Sequence, residues 1–149
     1  MILEFQLAYY LGPGRERDKG YTVIFASEKN FMARDEQLKG RWEAVVKLLG
    51  DRFADGERLD LDAIIYLVGV QELGQLHRKF KKDEKINLMH IAICRLLEPF
   101  GYYEFEYFDE SGWPHYKILE QLPPLKAGEQ SVLMKEAIVQ YFVEKEVIE

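Results

Sequence analysis

His90 and Cys94 stand four residues apart in MHIAIC, so on a helix they share one face. An imidazole and a thiol so placed suit a soft metal ion, or a nucleophile with its base. A structural zinc site needs four ligands, however. One cysteine and three histidines, Cys94 with His77, His90 and His115, reach that number only if every one of them meets at a single point, and of these only His90 and Cys94 are paired by spacing; a carboxylate would have to stand in for any that does not. The simpler reading is a partly buried histidine beside an inert thiol, and neither a metal nor a cofactor is expected. Glu72 with His77 is the other pair an enzyme could use. No G-x-S-x-G, H-E-x-x-H, P-loop or G-x-G-x-x-G frames either pair, and the GPG at 12–14 is turn chemistry. The chain therefore reads as a binding protein, with a small enzyme of unrecognised type as an alternative.

Positive charge clusters at one place, Arg78, Lys79, Lys81, Lys82 and Lys85 in HRKFKKDEK. This basic link joins the apolar stretch LDLDAIIYLVGVQELGQL to DEKINLMHIAICRLLEP, and GYYEFEYFDESGWPHYKIL follows. The order helix, short link, helix, hairpin resembles the second half of a winged-helix DNA-binding domain, whose recognition helix is followed by a β wing. The resemblance rests on element order over residues 59–119 and implies nucleic-acid contacts from Arg78, Lys79, Lys81, Lys82 and Lys85. Two features of the residues oppose it. The recognition helix offers only Lys85, Asn87 and Arg95, and the wing tip Asp109-Glu110-Ser111-Gly112 is acidic. The net charge of −6 lies wholly in residues 101–149, which hold four basic and ten acidic residues. A polyanion meets repulsion there, so nucleic acid is the secondary reading and a protein partner, or a second copy of the chain, the first.

The hairpin at 102–119 supplies the partner-binding candidates. A four-residue connection Asp109–Gly112 sets Phe108 opposite Trp113, Glu106 opposite His115, Phe105 opposite Tyr116, Glu104 opposite Lys117 and Tyr103 opposite Ile118. Tyr103, Phe105, Tyr107, Tyr116 and Ile118 then share one face, and opposite charges meet on the other. Pro114 marks the returning strand as an edge. Phe108 and Trp113 are left as two large rings at the tip beside His115, and these three are the expected contact residues.

The remaining elements must hold that hairpin. The stretch from Asp60 to Gln75 is apolar on most sides, so it is expected to be the central buried helix, capped by Asp60 or Asp62. Gly69 and Gly74 would mark close approach of a neighbouring backbone. Asp83 is the expected cap of the next helix, with Ile86, Met89, Ile93 and Leu97 as its buried stripe and Pro99 as its stop. Upstream, a helix from Asn30 or Phe31 to Leu49 ends at Gly50, with Asn30 as its cap and Gly40 as its weak point. Downstream, a last helix spans about 129–146 with Leu133, Met134, Ala137, Ile138, Tyr141 and Phe142 inward. Residues 2–11 read as a strand or as a helix; the strand would pair with YTVIF at 21–25 in a second hairpin over 2–26.

The fold class is thus α+β and mostly helical, with about four main helices in one domain over 1–149. A hydrophobic content of 48% is that of a globular chain, and a single cysteine makes no internal disulfide. The apolar start MILEFQ carries Glu4 and no preceding basic region, unlike a signal peptide, and no window is apolar enough to span a bilayer. The expected location is cytoplasmic, with no membrane partner.

Overall fold

The computed structural model describes residues 28–75 and 78–149, with side chains from Glu36 onward. Within these limits lie four helices, α1 (Glu28–Phe53), α2 (Leu61–Leu73), α3 (Lys82–Leu97) and α4 (Ala127–Glu144), and one antiparallel hairpin, β1 (Tyr103–Phe108) with β2 (Pro114–Ile118). The protein is α+β and mostly helical. The N-terminal hairpin expected over 2–26 lies outside the described residues, as does His77.

Helix α2 begins where Asp60 leaves the helical region and its Oδ1 accepts the Ala63 N–H at 2.8 Å. It ends at Gly74, whose left-handed φ of 76° lets its N–H reach the Val70 carbonyl. Of the two glycines read as points of close approach, only Gly69 is one. A Cβ there would run into the Leu88 carbonyl of α3, whereas nothing stands near Gly74. Gly69 thus lets two backbones touch where α2 crosses α3, and Gly74 serves the turn. Ile64, Ile65 and Val68 of α2 pack with Met89, Ala92, Ile93, Leu96 and Leu97 of α3 in the main core. α3 in turn meets α4 and both strands, so the apolar α2 and its partner α3 together form the centre.

Several expected boundaries move. α1 starts before Asn30 and runs through Gly50, so neither residue caps it. Gly50 is needed for another reason: the loop after the helix folds back until the Glu57 carbonyl presses on the glycine, where a Cβ would collide with it. Ala54 and Gly56 both donate to the Gly50 carbonyl at 3.0 Å, and the reversal is made by Asp55 and Gly56 at φ 51° and 87°. α3 begins at Lys82 with Lys81 in the cap position, and Asp83 falls in the first turn. Glu84 supplies the capping carboxylate by accepting the Lys81 N–H at 3.2 Å. Ile86, expected in the buried stripe, is exposed, because the core face of α3 is set by Leu88, Ile91 and Ala92 beside Met89 and Ile93. α4 lies two residues earlier than read, at Ala127–Glu144, and buries Leu133, Met134, Ala137, Ile138, Val139 and Tyr141.

The hairpin keeps the expected register at its base and loses it at its tip. Tyr103 pairs with Ile118, Glu104 with Lys117 and Phe105 with Tyr116, but beyond these Tyr107 pairs with His115 and Phe108 with Pro114. The cause is the turn. Asp109 N–H donates to the Trp113 carbonyl at 2.9 Å and Gly112 N–H to the Asp109 carbonyl at 3.0 Å, which closes a loop one residue shorter than read. Gly112 takes φ 85°, the left-handed position that ends such a loop. The tip therefore slips by one, and Glu106, left without a partner in the register, forms a bulge that restores pairing at Phe105.

Candidate functional site

The bulge redistributes the aromatic side chains. With Phe108 opposite Pro114, it joins Phe105 and Tyr116 on one face: the Phe105 and Phe108 rings lie 4.9 Å apart, and Phe105 meets Tyr116 edge to face at 5.8 Å. Phe105 and Phe108 remain 37% and 62% exposed. Tyr107 instead goes to the other face and stacks on His115 at 4.6 Å with the rings nearly parallel.

Phe105, Phe108, Pro114 and Tyr116 form one wall of a cleft of about 520 Å³; Glu72 of α2, Arg95 of α3, Glu98 and Pro99 complete it. Its charges are partly spent. Glu72 accepts a hydrogen bond from the Tyr141 hydroxyl at 2.6 Å and lies 3.8 Å from the Arg95 Nε, while the Arg95 guanidinium sits 5.4 Å from the centre of the Tyr141 ring. Burial, and then the Glu72 carboxylate, pushes the Tyr141 hydroxyl well above its usual range, so it stays a hydrogen-bond donor. Burial likewise raises Tyr116. Glu72 and Arg95 offset one another. Glu98 is the one lining carboxylate without an ion pair among the described residues.

Of the three expected contact residues, only Phe108 lies in this cleft. His115 is on the opposite face, where its Nε2 is 2.9 Å from Asp109 Oδ2, so its carboxylate partner is Asp109 rather than Glu106. Asp109 also accepts from Ser111 N–H at 2.9 Å and Trp113 N–H at 3.0 Å. The His115 hydrogen bond, with these N–H donors, holds its carboxyl below the usual aspartate range. Trp113 is half-buried and packs against a second apolar cluster of Val70, Leu73, Leu88 and Ile91. It does not face Phe108; the shorter loop turns it toward the helices and anchors the hairpin to them.

His90 and Cys94 do share a face of α3, with Sγ 3.7 Å from the His90 Nε2. Burial pushes the Cys94 thiol up to about 12 and the His90 imidazole down, so the thiol is neutral and enclosed, unlike a nucleophile. Among the described residues no three His, Cys, Asp or Glu side chains gather as a metal site would require. In the basic link, Arg78 is tied to Glu84 and to Gln75, the latter at 3.0 Å, and lies 5.3 Å from the centre of the Phe80 ring. Lys79, Lys81, Lys82 and Lys85 are exposed. The exposed residues of α3 all fall within Lys82–Asn87, since every residue from Leu88 on is buried or half-buried.

The charged cleft residues Glu72, Arg95 and Glu98 form no sequence motif, because two helices and a turn contribute them. One signal does exist in the sequence: Glu72 is a carboxylate in the last turn of a helix otherwise almost wholly apolar, and such a charge needs a partner. In class, the molecule is a mostly helical α+β protein whose bulged hairpin roofs an aromatic, partly charged cleft. No protein-family model, no curated protein and no solved structure matches the chain. No helix among the described residues is long and apolar enough to cross a membrane.

Proposed function

We propose that the protein is an interaction module that grips a partner protein through the bulged face of its hairpin, taking a lysine or arginine side chain of the partner into the cleft. The observation that carries this reading is the juxtaposition of two exposed rings, Phe105 and Phe108, with the lining carboxylate Glu98. Adjacent exposed rings are costly to leave in water and are the residues that interfaces use as anchors. A ring face and a carboxylate together recognise an ammonium or guanidinium group, the one by its quadrupole and the other by charge. The surrounding chain adds to the attraction, since residues 101–149 hold ten acidic and four basic residues.

A peptide array probed with the whole chain tests this. Peptides bearing Arg or Lys should be enriched, and Phe108→Ala and Glu98→Gln should each lower their capture several-fold. Enrichment of acidic peptides, or capture that both variants leave unchanged, would refute the reading.

A further inference from the structure

A groove of about 680 Å³ opens between α1, α2, the end of α4 and the link residues Arg78 and Phe80 that precede α3. Its floor includes the buried Leu49, Val68, Val70 and Tyr141, and Phe53 stands 58% exposed at its edge. The charged groups that line it are Arg52, Arg78 and Lys145, with no carboxylate among them. In a chain with a net charge of −6, three cations around an apolar groove are a local reversal of sign. Arg78 is already engaged by Glu84, and Lys145 lies 5.4 Å from the centre of the Tyr141 ring. Arg52, in the last turn of α1, has no ion pair among the described residues.

We propose that this groove is a binding site, separate from the hairpin cleft, for an amphipathic anion with an alkyl chain, namely a long-chain carboxylate. The volume falls within the roughly 300–1,000 Å³ of small-molecule sites, which often lie between helices. A flexible alkyl tail fits an irregular floor of branched and aromatic side chains, and removing it from water supplies affinity along its length. The carboxylate is left at the rim, where Arg52 and Lys145 meet it.

Calorimetric titration of the full chain with octanoate, decanoate and dodecanoate, each kept below its micellar concentration, tests the assignment. Saturable binding is expected to tighten by about three- to fourfold for each added methylene that is buried. Arg52→Glu, a change at an exposed position, should weaken decanoate at least tenfold while lowering the unfolding temperature only slightly, by the loss of a cation from the last turn of α1. Decyltrimethylammonium, with the same tail and the opposite charge, should bind far more weakly than decanoate. Absence of saturable binding, equal binding of the cationic analogue, or an unaltered decanoate affinity in Arg52→Glu would each overturn the proposal. Binding of an acidic amphipathic peptide without any binding of the carboxylates would overturn it too, and would give the groove to a protein partner instead.

Discussion

Two glycines in this protein sit in helices for opposite reasons, and substitution separates them. At Gly69 a methyl group would be driven into the Leu88 carbonyl, so Gly69→Ala must push α2 from α3 and is expected to cost about 1–3 kcal/mol in denaturant unfolding. At Gly40, exposed on α1 with open space around it, the same change should stabilise by about 0.5–1 kcal/mol, since alanine loses less backbone entropy in a helix. Equal effects at the two sites would contradict the close crossing. Asp109 gives a test by pH. Its folded pKa is lowered, chiefly by the His115 hydrogen bond, so the stability it contributes is present above the unfolded aspartate pKa and is lost as pH falls through the folded value. A carbon-detected NMR titration should place its midpoint below that of an aspartate in an unfolded peptide. A midpoint at or above the peptide value would mean that the turn network does not form.

For the hairpin, the loop decides what the strands present. Alternating residues made the base of the ladder legible, because Tyr103, Phe105 and Tyr116 on one face and Glu104 with Lys117 on the other fit only one pairing. The tip was not legible in this way. A four-residue and a three-residue connection both use Asp109 and Gly112, and the choice depends on the Asp109 side chain binding two backbone N–H groups and His115, which no alternation encodes. The consequence falls on function, since the one-residue slip and the bulge at Glu106 move Phe108 into the cleft and Trp113 onto the helices. The end of α1 is hidden for a related reason: Gly50 is a stop signal in sequence, but here the helix runs through it and the space of its missing side chain is filled by the returning loop. The exchanged roles of the two rings can be measured. Trp113→Ala should destabilise the domain by about 1.5–3 kcal/mol, as loss of a half-buried anchor does, while Phe108→Ala should change stability by less than about 0.5 kcal/mol. The reverse order would restore the four-residue loop.

Across the whole molecule, charge and apolar surface are unevenly shared. The hairpin and α4 carry the acidic excess, and the cations cluster in the link before α3 and around the groove between α1, α2 and α4. On the proposed readings, the hairpin cleft, held between α2, α3 and the 3-10 turn at Glu98–Phe100, takes a cationic side chain, and the groove lined by Arg52 and Lys145 an anionic group. A winged-helix use of the link would bring a polyanion toward this acidic hairpin, and α3 exposes only its first turns. Binding through the bulged face is most directly tested by titrating the isotope-labelled chain with a short blocked peptide containing a single arginine, followed by NMR. Shifts are expected to concentrate at Arg95, Glu98, Phe105, Phe108 and Tyr116, to saturate, and to vanish in Glu98→Gln with the rest of the spectrum unchanged. Saturable shifts confined to the Tyr107 and His115 face or to the link, or no saturable shifts at the cleft, would contradict it.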